Sequence, residues 1–408
     1  MSKVIVIGAG AAGMMAAISA ANCGHTVEIY DKNEKTGKKI YITGKGRCNV
    51  TNACDTEELF GKIVTNPKFL YSAIYSYDNN TVQAFFEAEG CPLKIERGNR
   101  VFPVSDKSND IIKGLEKAMN WAGVKVQLNA NVENIVIEES LAKAVVVNGE
   151  RYDFDRVVVA TGGISYASTG SDGDGYEFAK SAGHTIVEPV PSLCAIKIFG
   201  NECKEVEGLS LKNVTLTSKL QDKVIYKSEI GEMLFTSNGI SGPIVLTTSS
   251  YINRVDFSKL KIYIDFKPAL SVDALLLRID RDIADMKAKQ VSSLLEGLLP
   301  KSMVALFLKR LNVEASMKAN QLNREKRKTL VDLLKNYELL PISLESFNQA
   351  VVTAGGVNLK EINPKYMKSK LVPNLYFVGE VLDIDALTGG FNLQLAFSTA
   401  VTCASDFN

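Results

Sequence analysis

The first thirty-one residues constrain this chain more than anything that follows them. Lys3-Val4-Ile5-Val6-Ile7 is a short, β-branched run of the kind buried on both faces of a parallel sheet. It leads into Gly8-Ala9-Gly10-Ala11-Ala12-Gly13 and then into Met14-Met15-Ala16-Ala17-Ile18-Ser19-Ala20-Ala21, a small-residue helix able to lie close to a sheet. A second strand, Thr26-Val27-Glu28-Ile29-Tyr30, ends at Asp31, 18 residues after Gly13. Each part has a physical task. Gly8 permits the tight turn, Gly10 lets backbone approach a pyrophosphate, and Gly13 allows close helix–strand contact. Ala11 and Ala12 begin a helix whose free N–H groups and positive dipole end face phosphate oxygens. Asp31 stands where an acid accepts from ribose hydroxyls, which selects FAD or NAD over NADP.

At 408 residues the chain predicts two or three domains rather than one core. Its composition, 46% apolar and 23% charged, is that of a soluble globular protein, and we expect a cytoplasmic one. A formal net charge of +1 offers no electrostatic reason to expect nucleic acid or an anionic membrane as partner. The expected partner is therefore a small-molecule substrate, with the oligomeric state left open. No signal-peptide pattern or spanning apolar run is apparent. Seven cysteines without a C-x-x-C pair read as reduced, mostly buried thiols, and no metal site is expected. The two histidines, His25 and His184, each lie in a helix-to-strand turn, where surface or capping roles are expected. A histidine-centred triad is thereby disfavoured, and a catalytic proton must come from Tyr, Lys, Cys, a carboxylate or water.

Residues 32–52 form a loop with six basic side chains: Lys32, Lys35, Lys38, Lys39, Lys45 and Arg47. Its position directly after Asp31 lays it along the pyrophosphate and ring of a bound dinucleotide. Gly44 and Gly46 let backbone approach a flat ligand, while Arg47, Asn49, Thr51 and Asn52 offer donors to carbonyl and phosphate oxygens. Residues 56–120 read mainly as helix, with Asp106 capping one over 107–121. A hairpin is expected over 93–96 and 100–103, and a meander over 133–154 follows Val132, where adenine would lie on backbone. Arg156-Val157-Val158-Val159-Ala160-Thr161-Gly162-Gly163 predicts a buried strand ending in residues small enough for cofactor contact. Residues 170–175 resemble a calcium loop only loosely and are expected to be a turn.

Short alternating strands between 192 and 270 predict an antiparallel sheet or barrel, and 271–337 predicts helices, with the basic run 323–328 on a solvated face. The last stretch returns to ligand chemistry: a strand ending at Gly379-Glu380, then Gly389-Gly390-Phe391-Asn392-Leu393-Gln394 opening an apolar helix. A di-glycine at a helix N-terminus presents N–H donors to something anionic or electron-rich, such as a flavin edge. The domains expected are thus 1–191 with 346–408 for the cofactor, 192–270 with about 338–345 as a barrel-like insertion, and 271–337 as a helical piece.

Together these residues carry a resemblance. Gly8–Gly13 with Asp31, the run Thr43-Gly44-Lys45-Gly46-Arg47-Cys48-Asn49-Val50-Thr51-Asn52, Ala160-Thr161-Gly162-Gly163, Gly239-Ile240-Ser241-Gly242-Pro243 and Gly379-Glu380 to Gln394 resemble the BaiN-type family of FAD-dependent oxidoreductases, across nearly the whole chain. The resemblance implies an α/β fold: a Rossmann-like FAD-binding domain of the glutathione-reductase type, with an inserted antiparallel β-barrel-like domain and a small helical domain. It implies that Ala12, Asp31, Lys39, Gly44, Asn49, Val132, Thr161, Gly379, Asn392 and Leu393 line FAD. Neighbours in the same motifs (Lys32, Lys38, Cys48, Ala160, Gly162, Glu380, Gly390, Phe391 and Gln394) are candidates too. The family includes a reductase of conjugated double bonds in 3-oxo bile-acid intermediates and an oxygen-dependent aminoacetone oxidase. The leading expectation is hydride transfer from NAD(P)H, docking transiently, through FAD to an enone. An amine oxidase and a non-catalytic flavin module are the alternatives. For catalysis only Tyr166 and Arg100 are named, as polar contacts near the ring.

Overall fold

The protein is described from a computed structural model covering residues 1–285 and 289–407. The described chain divides into two compact units, Met1–Ser192 with Phe347–Asn408, and Leu193–Ser346.

In the first unit, β1 (Lys3–Ile7) is flanked in parallel by Arg156–Val159 on one side and by β2 (Thr26–Tyr30) on the other. Leu375–Phe377 and Lys125–Gln127 extend this parallel array to five strands. Two short antiparallel strands, Ile362–Asn363 and Lys368–Ser369, complete one edge. Val4, Ile5 and Val6 are fully buried, as a central strand covered on both faces requires. Helix α1 (Ala11–Asn22) follows β1 and packs against the C-terminal helix Phe391–Ala404. The three-stranded meander (Val132–Glu138, Leu141–Val147, Glu150–Asp153) and the hairpin Leu93–Glu96 with Arg100–Pro103 form as the sequence pattern predicts.

Two local expectations fail for identifiable reasons, and one pairing is unanticipated. Asp106 caps nothing: the helix starts at Ser108 with Lys107 as N-cap, and the Asp106 carboxylate instead accepts from Arg47 and Lys94. His184 is buried rather than on the surface, held between Glu361 and Ser369. The pairing of Ile186–Ser192 with Val352–Val357 joins segments far apart in sequence, and no local periodicity announces it.

The second unit holds an eight-stranded antiparallel sheet. Its edge strands, Tyr337–Leu339 and Pro341–Leu344, are sequence neighbours, so the sheet curls back on itself without a closing ladder. Among the described residues, four helices follow the strand Leu260–Asp265, namely Val272–Asp285, Val291–Glu296, Lys301–Leu311 and Arg324–Lys335. Ser271 caps the first, accepting from Ala274 N at 3.1 Å. Leu275, Ile279, Phe307 and Leu330 of these helices share one apolar core with Leu216, Phe235 and Ile262 of the sheet. The barrel-like and helical pieces expected from the sequence are therefore one compact body. Among the described residues no helix is long and apolar enough to cross a membrane.

Candidate functional site

The site grows from the C-terminal end of β1, in the first unit. Gly8 turns the chain at φ +100°, and a Cβ there would lie 2.7 Å from the Ala160 carbonyl oxygen. Gly13 brings α1 back over the turn so closely that a Cβ would meet the Gly8 carbonyl oxygen at 1.8 Å. Gly10, between them, is different: its φ of −84° suits any residue, and nothing lies within 4 Å of where its Cβ would sit. Two glycines are thus demanded by the protein itself, and the third keeps a space clear. Above that space α1 starts without a side-chain cap or an acidic residue in its first turn. Its first N–H groups therefore keep their donor capacity for an outside acceptor.

Four further stretches converge on this helix end, and the Gly390 turn belongs to the same unit. Asp31, closing β2, accepts from Ala9 N at 2.6 Å with one oxygen and from the Asn33 backbone and side-chain amides with the other. Gly37 N donates to Ala9 O at 2.9 Å, tying the basic loop to the glycine turn. Ala160 and Thr161 abut Gly8. Gly379 (φ +74°) touches Ala12 and donates from its N–H to Thr399 Oγ1 at 3.0 Å. At Gly390 (φ +97°) the backbone lies against Thr51 O, so that a Cβ would fall 2.3 Å from it. Gly390 also starts an uncapped helix, again without an acid in its first turn.

A polar cluster lies beyond the ends of the paired strands Arg156–Val159 and Leu375–Phe377. Lys39 Nζ donates to Glu380 Oε2 at 2.7 Å and to Ser165 Oγ at 2.8 Å. The other Glu380 oxygen accepts from Thr353 N at 2.8 Å and from Ser165 Oγ at 3.1 Å. Lys39 and Glu380 side chains are about one-fifth exposed, so this pair is largely withdrawn from solvent. Thr161 Oγ1, Asn49 Oδ1 and Tyr176 OH are buried with no hydrogen-bond partner among the described residues. Such orphans are costly unless something outside the chain satisfies them. Burial, reinforced by the charges of Glu380 and Asp383, pushes the Tyr176 phenol well above its ordinary range, so it stays a proton donor.

Several sequence candidates spend their side chains elsewhere. Arg47 turns to Glu96 and Asp106 and stacks on Phe102, with its guanidinium carbon 4.2 Å from the ring centroid. The hairpin folds back over the loop and captures it. Lys32 pairs with Asp172 and Asp174, and Lys38 with Glu34 at 3.1 Å. The residue 170–175 turn therefore uses two of its acids on one lysine. Thr51 donates to Gln394 Oε1 at 2.5 Å, and Asn52 to Gly98 O and Gly389 O. Asn392 clasps Ala386 through both amide atoms. Cys48 is fully buried, its thiol pushed up to about 12 by desolvation. Phe391 is buried, while Leu393 packs partly buried against the core. Val132 opens its strand just after Ala130, whose N–H donates to Asp31 O at 2.9 Å. Gly44 takes a left-handed φ of +56° beside Asn49, and Gly162, at φ +75°, faces Ser171 and Glu380. Of the two catalytic guesses, Arg100 is exposed and bonds back to Arg97 O at 3.0 Å, and Tyr166 takes a left-handed φ of +54°. Sequence reasoning missed Ser165, Thr353 and Tyr176. The only hint at Thr353 was the small-residue run Thr353-Ala354-Gly355-Gly356.

A model of the HI0933-like protein Rossmann domain matches residues 2–406. The chain belongs to that family. It is 30% identical to the 3-dehydro-bile acid delta(4,6)-reductase of Clostridium scindens over 98% of this chain and 97% of the relative. It is also 32% identical to the ribosomal RNA dihydrouridine synthase of Haemophilus influenzae over 99% of this chain and 98% of the relative. The fold is shared with 3-ketosteroid delta1-dehydrogenase from Sterolibacterium denitrificans, at a TM-score of 0.53 and 12% identity, over 99% of both chains. The chain is an oxidoreductase of this family.

Proposed function

We propose that the protein is an FAD-dependent reductase of a carbon–carbon double bond conjugated with a carbonyl, drawing hydride from NAD(P)H. The observation that carries the cofactor is the clear space over Gly10, where α1 begins uncapped with Asp31 beside it. A diphosphate fits the helix end, and a ribose fits Asp31, whose oxygens already accept amide donors and retain further lone pairs. The orphaned Thr161 Oγ1 and Asn49 Oδ1 and the uncapped helix at Gly390 suit the remainder of a flavin nucleotide. Arg47, Lys32 and Lys38 are left out of this assignment because their charges are already paired. When bound, FAD would supply the two-electron hydride chemistry that reduction of a conjugated double bond requires. The chain's part is to hold that group in place: Lys39 is fixed by Glu380, which Ser165 and Thr353 fix in turn.

Two substrate readings share this chemistry. The Clostridium scindens relative favours a steroid-type enone. The Haemophilus influenzae relative favours uracil in RNA, whose ring double bond is likewise conjugated with a carbonyl. Anaerobic stopped-flow mixing of the FAD-loaded protein with NADH and with NADPH tests the common part. Bleaching of the flavin absorbance by either nucleotide, and its recovery on adding an enone or a uridine-containing RNA, is expected. Flavin left oxidised by both nucleotides refutes the nicotinamide-linked reading and turns the search to amines with peroxide detection.

A further inference from the structure

The near-neutral total conceals a division of charge. Leu193–Ser346 contains 23 lysines and arginines against 18 aspartates and glutamates, a net charge of +5, and the remaining 24 against 28 leave the first unit at −4. Where the excess becomes a surface is decided by strand register. Ser210–Leu220 pairs on one side with Lys223–Lys227 and on the other with Leu260–Asp265. Lys227, Thr217 and Tyr263 stand in one row across these three strands, and Val224, Lys219 and Lys261 in the next. The intervening Ser218 and Ile262 are fully buried, so alternation sends the two rows to the outer face.

That face is open and cationic. Lys227 and Lys261 are exposed, and the Lys219 ammonium lies 5.0 Å from the centre of the Tyr263 ring. Lys219 and Lys227 hold no ion pair among the described residues. Two carboxylates reach the patch: Glu338, bound by Lys261 at 2.9 Å and by the Tyr263 hydroxyl at 3.1 Å, and Asp222 at the hairpin turn. In the basic run at 323–328, Arg324 and Lys328 are likewise exposed, and the other basic side chains are engaged within the protein. Arg327 is paired with Asp280, and Lys326 donates to Leu311 O.

We propose that this sheet face binds RNA, with Lys219, Lys227 and Lys261 on successive phosphates and Tyr263 offering an aromatic edge for an unpaired base. Strands about 4.8 Å apart set lysines at a spacing a nucleotide backbone can follow, and charge complementarity argues for a polyanion. The proposal rests on the uracil reading of the substrate. It reverses the expectation, drawn from total charge, that no nucleic acid is bound. The binding is backbone-directed, so it carries affinity and orientation rather than sequence choice.

The test uses the FAD-loaded full chain and a fluorescently labelled RNA hairpin with a uridine-rich loop, read by anisotropy across a salt series. The expected result is saturable binding that weakens as salt rises. Lys219→Gln/Lys227→Gln/Lys261→Gln is expected to weaken it at least ten-fold and to flatten the log–log salt slope by about 2, from about 0.7 per single-strand phosphate released. Lysine-to-arginine changes at the same three positions are expected to retain binding. No binding by the unaltered protein at low salt, equal binding by the glutamine variant, or binding to anionic vesicles in place of RNA overturns the proposal. The same glutamine variant is also mixed with NADPH and a small enone. Its flavin response reports on the reductase reading independently, so failure of one is distinguishable from failure of the other.

Discussion

Gly10→Ala and Gly13→Ala make the same chemical change three residues apart and are expected to fail in opposite ways. At Gly13 the new methyl would lie 1.8 Å from the Gly8 carbonyl oxygen and 3.3 Å from the Ala160 Cβ. Backbone must move to relieve this, and forced overpacking of that kind costs about 1–3 kcal/mol or more. At Gly10 the methyl meets no protein atom, and the φ of −84° is ordinary for alanine. Losing glycine at an N-cap costs about 0.5–1 kcal/mol, offset by a reduced unfolded-state entropy of about 0.4–1 kcal/mol. The net change in the cofactor-free protein is therefore expected within about 1 kcal/mol. The same methyl stands where a diphosphate must approach the α1 N–H groups. Each charge-assisted hydrogen bond lost costs about 1.5–3 kcal/mol, roughly 10- to 150-fold in Kd. Denaturant melts of FAD-free protein and titration of FAD by flavin fluorescence measure the two quantities separately. Gly10→Ala binding FAD as tightly as the unaltered chain would refute the assignment of this space to the pyrophosphate. Gly10→Ala as unstable as Gly13→Ala would refute the geometric reasoning.

Three further outcomes are expected. Burial depresses the His184 pKa below its ordinary value, although Glu361 acts in the opposite sense. The unfolded chain then takes up the proton first, so this group's contribution is intact above about pH 6.5 and is lost as pH falls through the folded-state value. Denaturant melts from pH 8 to pH 5 are expected to show a smaller acid loss in His184→Gln; an unchanged profile counts against it. A double-mutant cycle of Lys39→Met and Glu380→Gln is expected to give a coupling of about 1–2 kcal/mol, since each change strands a partner in a largely dry cluster. Additive effects would show that the pair is not coupled. Six of the seven cysteines are buried and only Cys23 is partly open, so a thiol reagent is expected to titrate at most one group in the native protein and seven in denaturant. Fast reaction of two or more native thiols would contradict the packing.

Local chemistry made the nucleotide-binding core readable from sequence. The strand–turn–helix at 3–22 and the strand ending at Asp31 depend on neighbours within one or two turns of chain, and their hydrophobic spacing and glycines state those dependencies directly. The meander after Val132 and the helix opening at Gly390 are legible for the same reason. What sequence leaves open is where a long polar side chain spends its donors. Arg47 reads as a phosphate ligand until the hairpin 93–103 folds over it and offers Glu96 and Asp106. Glu380 reads as a cofactor contact, but Thr353 and Ser165, distant in sequence, complete its bonding. Charge behaves in the same way: a total of +1 is a sum over the chain, whereas a surface is a matter of register, and three strands place Lys219, Lys227 and Lys261 on one face. Backbone geometry and short-range periodicity are properties of neighbouring residues and so are written in order along the chain. Side-chain partnership and surface potential arise between residues that only the tertiary fold brings together.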